Sequence, residues 1–451
     1  MAIAAIVVAL NTQAVRGSKR AGSLPAIFER SRSVAFSAFS CATVPISSKG
    51  GPAKWLKINN LENHICDYEP GGRSSNLAGR ANLHTSLVTL GRSIADFNAL
   101  HYAYWVSGAL RSLNVPNVPH LMRAVIAEAV GEPLRLVQVS TPRPGASDVL
   151  VRVMASAVNP LDLKIRAGIA EHARQPLPAI LGIDMAGVIV AVGKETLTFR
   201  EGDAVFGMAG GVGGHPGSLA EYVSVDERLV ARKPTDFSMR EAAAVPLVFI
   251  TAWEGLVDHA AVRASQRVLI RGGAGGVGQA ALQIARARGA MTFATGSQAA
   301  RKTIERLGAR FVDKAEAPAD VVARETGGRG FDIVFDTAGG ASLDTAFTMV
   351  RRFGHVVSTL GWGTHSLAPL SFRAASYSGI FSLLPLLTGE GGRHHGEILA
   401  EATKLAEAGA LTPGLDPGRF TLSTVNEAYR SMQAGIARGK LVVDIREEVA
   451  S

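Results

Sequence analysis

An apolar run, RVLIR (residues 267–271), passes directly into GGAGGVG (272–278) and then into QAALQIARARGA (279–290). A chain that leaves a buried strand and enters an amphipathic helix across so short a turn needs positions without a Cβ, and glycine supplies them. Gly273, Gly275 and Gly278 have the GxGxxG spacing. Because 49 of the 451 residues are glycine, the spacing alone carries little. Its position between strand and helix carries the inference. The helix start aims unpaired N–H groups and the positive end of its dipole at one point, so Gly273, Gly275, Gly276, Val277 and Gly278 are expected to receive the pyrophosphate of a dinucleotide. A second glycine-rich run, GGVGGHPG (210–217), contains Pro216 and leads into a strand. It reads as a flexible loop.

Strand and helix alternate around the turn. MTFAT (291–295), QAARKTIERLGA (298–309), DIVFD (332–336), LDTAFTMVRR (343–352) and HVVSTLG (355–361) follow in order, which predicts a parallel, doubly wound α/β sheet. Gly289 and Gly308 each close a periodic run, where a left-handed residue is expected. From 147 to about 234 the rhythm differs: DVLVRVMASAV, AGVIVAVG, GDAVFGM, AEYVSVD and LVARKP read as short strands with tight turns.

Cofactor choice is usually written at the end of the second strand of such a sheet, where a carboxylate would bind a ribose hydroxyl. Here that place holds Thr295, Gly296 and Ser297, with Arg301 and Lys302 one turn on. Ser297 can donate a hydrogen bond and Arg301 or Lys302 can pair an added phosphate, so NADP is expected rather than NAD. A solvated helix face is the alternative for the two cations.

The first 121 residues carry 12 Lys+Arg against 5 Asp+Glu, which is seven of the nine net positive charges. The rest of the chain is nearly neutral, and no zinc finger, RNP or basic-zipper pattern occurs, so nucleic acid is not an expected partner. Both cysteines, Cys41 and Cys66, also fall in this stretch. The body therefore offers no disulfide framework, cysteine-ligated zinc or cysteine nucleophile. The first 60 residues show no sustained period, and residues 1–121 read as an unstructured leader, a transit peptide or a gene-model extension. Met122 opens a first strand and hairpin. Neither residues 2–10 nor SGIFSLLPLL (378–387) is long enough to span a bilayer; the latter reads as an edge strand and hinge. No membrane partner is expected. Adjacent His394 and His395 read as surface residues, and His215 as a solvated loop residue.

From Met122 to about Ile445 the chain resembles the zinc-independent quinone oxidoreductase branch of the medium-chain dehydrogenase/reductase superfamily, which includes the zeta-crystallins. The resemblance rests on VNPLDLKIRAG (158–168), LGIDMAGVIVAVG (181–193), FREGDAVFG (199–207), GSLAEYVSV (217–225), AAAVPLVFITAW (242–253), the glycine turn, FDIVFDTAGG (331–340) and RGKLVVDI (438–445), in the family's order. It implies a GroES-like β-rich catalytic domain at 122–247, completed by 385–451, with a Rossmann NADP-binding domain inserted at 248–384. Where zinc alcohol dehydrogenases have a Cys and a His ligand, this chain has Asn159 and Ile183, so no metal site is expected. Without a Lewis acid the expected chemistry is hydride transfer from NADPH to a small electrophilic acceptor, a quinone or an α,β-unsaturated carbonyl.

The resemblance also implies roles. Asn159 would hydrogen-bond the substrate or the cofactor ribose, Asp162 would brace that loop, and Lys164, where several relatives have tyrosine, would donate to an oxyanion. A turn-capping role is the alternative for Asn159 and Asp162. Thr251, Gly361, Trp362 and Lys440 match positions near the cofactor. A cytoplasmic homodimer is expected, the dimer being common in the family. Two other functions stay open: an enoyl-thioester reductase, and an NADPH-binding, crystallin-like protein with little turnover.

Overall fold

A computed structural model of the chain describes residues 42–46, 54–58, 67–68 and 118–446. Two compact units divide the chain at residue 96. In the first, β1 (Ala42–Ile46), β2 (Lys54–Ile58) and β3 (Asp67–Tyr68) pair antiparallel in that order, three strands that the sequence pattern did not suggest. The remainder of the expected leader up to residue 117 lies outside the described residues.

The second unit opens with β4 (Leu121–Ala127) and β5 (Arg135–Ser140), an antiparallel hairpin joined at β4 by the short β7 (Ala179–Ile180). A larger sheet is built on β6 (Asp148–Ala157), β8 (Asp184–Val192), β9 (Ala204–Met208), β10 (Tyr222–Asp226) and β11 (Val230–Arg232). Its valines and isoleucines face a shared core at Val149, Val151, Val153, Ile189, Val205 and Phe206, all within 1% of complete burial. The helix α1 (Pro160–Arg166) leaves the end of β6, and α2 (Met239–Ala243) and α3 (Pro246–Trp253) lead out of this domain.

A six-stranded parallel sheet follows: β12 (Arg267–Arg271), β13 (Met291–Gly296), β14 (Arg310–Asp313), β15 (Phe331–Asp336), β16 (Val350–Ser358) and β17 (Ser376–Gly379). Its order is β14-β13-β12-β15-β16-β17. The direction of winding reverses between β12 and β15, and that reversal opens a crevice at the carboxyl ends of the strands. Val268, Leu269, Ile270, Ile333, Val334 and Phe335 are buried, as a sheet covered on both faces requires. The helix α4 (Gly276–Ala287) starts in the crevice. Gly289 (φ +78°) and Gly308 (φ +75°) take the expected left-handed conformation.

The segment 378–387 divides into the edge strand β17 and a short helix, Leu384–Thr388, that accommodates Pro385 in its first turn. The chain then returns to the first domain, where β18 (Phe420–Thr421) pairs β19 (Val442–Asp444) and β19 pairs β6. One histidine departs from expectation. His395 is buried, because it shares the inner face of helix Gly392–Glu407 with Ile398, Leu399 and Ala402, and its Nε2 lies 3.3 Å from Glu254. His394 is partly exposed, its Nε2 2.8 Å from Asp258.

Arg240 of α2 ties the outgoing and returning segments together. Only 9% exposed, it donates to Asp444 Oδ2 (2.7 Å) and to the carbonyls of Val442 (3.2 Å) and Gly418 (3.0 Å). Arg240→Ala strands a carboxylate and two carbonyls, and should lower the unfolding free energy by about 3 kcal/mol in urea titration. A loss below about 1 kcal/mol would show that the two segments hold together without it.

Candidate functional site

The glycines of the turn do different work. A Cβ on Gly273 would lie 2.4 Å from the Ala294 Cβ, and one on Gly278 would lie 2.2 Å from the Gly272 carbonyl oxygen. These two let the turn, β13 and α4 pack closely. A Cβ on Gly276 would meet Val248 at 2.9 Å, whereas one on Gly275 has nothing nearer than 3.5 Å. Gly275 and Gly276 are exposed, Val277 is half-buried, and the first turn of α4 carries no acidic side chain. The turn therefore offers an open, electropositive cradle that fits a pyrophosphate.

At the edge of the cradle, past β13, Ser297, Arg301 and Lys302 are exposed. The Arg301 guanidinium lies 4.2 Å from the centre of the Phe311 ring and 3.3 Å from Glu305. One carboxylate that linear reading did not place stands here: Asp313 is level with Gly296 across the sheet. It is occupied by the Gln298 amide (2.5 Å) and the Ala315 N–H (2.9 Å).

Where the first domain's early and returning segments meet lies a buried charge cluster. Lys440 Nζ donates to Asn159 Oδ1 and sits 3.2 Å from Asp184 Oδ2. Asn159 Nδ2 donates to Asp184 Oδ2 (3.0 Å), and the Leu247 N–H donates to Asp184 Oδ1 (2.8 Å). Both ends of the Asn159 amide are thus engaged within the protein. Asp184 stands within the LGIDMAG motif but was not among the expected site residues. A carboxylate in an otherwise apolar strand was the available signal.

Asp162 faces inward beside this cluster. Its Oδ2 accepts the Asn159 N–H at 2.7 Å, while Oδ1 is buried without a partner. Burial pushes its pKa from 3.8 up to about 7, and the nearby Asp184 charge adds to that effect. Tyr429, fully buried with an unpartnered hydroxyl, feels the Asp162 charge, and its pKa is raised further above the tyrosine range after burial itself. Asn159 and Asp162 therefore fix the start of α1. Lys164, two residues beyond Asp162, is half-buried, and its positive charge lowers the pKa of His172 after burial does.

His172 reaches a cavity of about 470 Å³ over the ends of β16 and β17, within the range of small-molecule sites. Trp362 and Phe381 complete an aromatic triangle with it. The His172 and Trp362 rings are 5.1 Å apart, and Phe381 stands edge-on to both at 6.1 and 6.2 Å. Trp362 is 53% exposed. Its carbonyl accepts from His365, which is also bound to Asp344 at 2.8 Å. Gly361 borders the same cavity, where a Cβ would lie 2.1 Å from the Tyr377 hydroxyl oxygen. Thr251 donates to the Leu247 carbonyl (2.7 Å) and meets Ser382 Oγ at 2.8 Å. Lys440 borders a narrow cleft together with Gly276 and Gln279 of α4.

All the expected residues but Thr251, which lies against Leu247 and Ser382, thus fall into three places: the cradle (Gly273 to Gly278, with Ser297 and Arg301 at its edge), the buried cluster (Asn159, Asp162, Lys440), and the cavity (Gly361, Trp362, with Lys164 beside His172). Phe381 and His172 were missed, since no local pattern marks either. Among the described residues no group of three or more His, Cys, Asp or Glu side chains converges as a metal site, and no helix is long and apolar enough to cross a membrane.

Two family models match the chain: the alcohol dehydrogenase GroES-like domain over residues 145–235 and zinc-binding dehydrogenase over residues 307–443. The human protein named quinone oxidoreductase is 32% identical, with 72% of this chain covering 98% of it. The Arabidopsis thaliana protein named NADPH-dependent alkenal/one oxidoreductase, chloroplastic, is 33% identical over 65% of this chain and 71% of its own length. The crystal structure of an alcohol dehydrogenase superfamily protein from Novosphingobium aromaticivorans superposes with a TM-score of 0.71 at 52% identity, over 72% of this chain and all of that one.

Two outcomes follow from this geometry. Gly275→Ala should leave thermal stability nearly unchanged while weakening dinucleotide binding at least tenfold by calorimetry, and Gly278→Ala should lower the melting temperature; equal effects would refute the division between them. Asp162 binds its proton more tightly in the folded than in the unfolded chain, so it stabilises the fold at low pH, and that contribution is lost as pH rises from about 4 to about 7. Asp162→Asn should flatten this slope by up to roughly 4 kcal/mol in denaturation at pH 4 and pH 8. Parallel pH profiles would overturn the assignment.

Proposed function

This chain belongs to the medium-chain dehydrogenase/reductase superfamily, in its quinone oxidoreductase branch, and on that premise we propose that it is a zinc-independent, NADPH-dependent reductase of quinones or α,β-unsaturated carbonyls. The observation that carries the reading is the aromatic-walled cavity at the carboxyl ends of β16 and β17, beside a glycine cradle in the same sheet. The cradle from Gly273 to Gly278 would hold the pyrophosphate, Ser297, Arg301 and Lys302 the 2′-phosphate, and Thr251, Gly361 and Trp362 the nicotinamide end. When bound, the reduced cofactor supplies the hydride.

The chain's own residues supply position and charge. Trp362, His172 and Phe381 exclude water and hold a flat conjugated acceptor. As the acceptor's carbonyl oxygen becomes negative, the Lys164 ammonium donates to it. Asn159, Asp162 and Lys440 act through α1 as positioning residues. Zinc independence is supported by the donor set, since Asn159 and Ile183 stand where metal ligands would be and neither is a zinc ligand type. The name of the Arabidopsis relative supports NADPH. A homodimer is supported by the outer edge of β17, which no other described strand pairs, and the reading includes a cytoplasmic location.

Purified full-length protein should oxidise NADPH in the presence of 1,4-naphthoquinone or an enone, with or without a chelator. Arg301→Glu should raise the KM for NADPH at least tenfold and that for NADH less than twofold. Equal changes would assign Arg301 to the solvated face of its helix.

A further inference from the structure

Resting on this reading of the cavity, we propose that its acceptor is a flat conjugated carbonyl compound bearing an anionic ring substituent, and that Arg174 receives that charge. Arg174 lines the cavity, and no carboxylate does. Among the described residues its guanidinium has no hydrogen-bond or ion-pair partner, although Glu171 lies in the same turn. Its backbone is left-handed at φ +47°, a conformation that non-glycine residues hold only when neighbours impose it. The neighbours do so here. The Arg174 N–H donates to the Glu171 carbonyl (3.0 Å), the Ala173 carbonyl accepts the Gly213 N–H (2.8 Å), and Gln175 Oε1 accepts the Gly214 N–H (2.8 Å). The glycine-rich loop 210–217 is thereby the clamp that keeps Arg174 at the cavity.

The aromatic lining of the same cavity explains the flat ring. Trp362 is half exposed while its ring lies against His172 and Phe381, an arrangement that gains contact when a planar ring stacks on it. A guanidinium at the rim and an aromatic face within reach match an anionic quinone or cyclic enone better than a neutral one. The charge would sit at the cavity mouth, where it remains partly hydrated.

The test compares 1,4-naphthoquinone with 1,4-naphthoquinone-2-sulfonate, using full-length protein, NADPH and subtraction of the enzyme-free rate. Arg174→Gln should lower kcat/KM for the sulfonate about tenfold, mainly through KM, and that for the neutral quinone less than twofold; Arg174→Lys should restore part of the loss. Trp362→Ala should lower both acceptors alike. An unchanged sulfonate value, an equal loss for both quinones, or a raised KM for NADPH in Arg174→Gln would overturn the proposal. Dependence on Arg174 seen only with crotonyl-CoA would also overturn it, in favour of a thioester's phosphates. If the wild-type protein reduces neither quinone, the reductase reading fails separately, and calorimetric binding of the sulfonate, about tenfold weaker in Arg174→Gln, still decides the role of Arg174.

Discussion

Four separate stretches of the chain meet at one buried ammonium and its carboxylate partner. Lys440 comes from the returning C-terminal segment, Asn159 from the end of β6, Asp184 from the start of β8, and the Leu247 N–H from the start of α3. A buried charge is tolerated only when its partners are in place, and removal of one leaves the others uncompensated. The first domain's early and late pieces and the start of α3 are therefore fixed to one another at this point. Asp162, linked to Asn159 by a backbone hydrogen bond, extends the same constraint to α1, and so to Lys164.

The glycine turn imposes the second constraint, and it is steric. Gly273 and Gly278 are needed for the turn to pack at all, while Gly275 leaves room that the fold itself does not fill. Space open at the positive end of a helix, without an acidic side chain in its first turn, suits an anion. The same crevice position follows from strand order, because the sheet reverses its winding there.

Much of this was legible in the sequence. The parallel sheet, the strand-rich first half and the cradle each come from contiguous residues whose period or spacing reports their neighbours directly. Gly289 and Gly308 announced helix ends for the same reason. The buried cluster was half legible: Asn159 and Lys440 stood in motifs, but Asp184 was passed over because its strand reads as apolar. His395 was misread as exposed because adjacency to His394 says nothing about which of the two faces the core; the inner positions of its helix decide that. Asp313 reached the edge of the glycine turn through strand pairing, a relation that a linear reading from β13 does not contain.

The cavity was the least legible part, and the reason is physical. Its walls come from residues 172, 362 and 381, and its rim from Arg174, clamped by a loop near residue 213. No spacing rule connects such positions, since each is placed by a different strand end or turn. The division matches what each half must recognise. A cofactor of constant shape can be met by one contiguous turn, in which every residue is fixed by backbone sterics. An acceptor is met by side chains on separate loops, each of which can change without disturbing β12, α4 or the buried ammonium that ties the first domain's segments together.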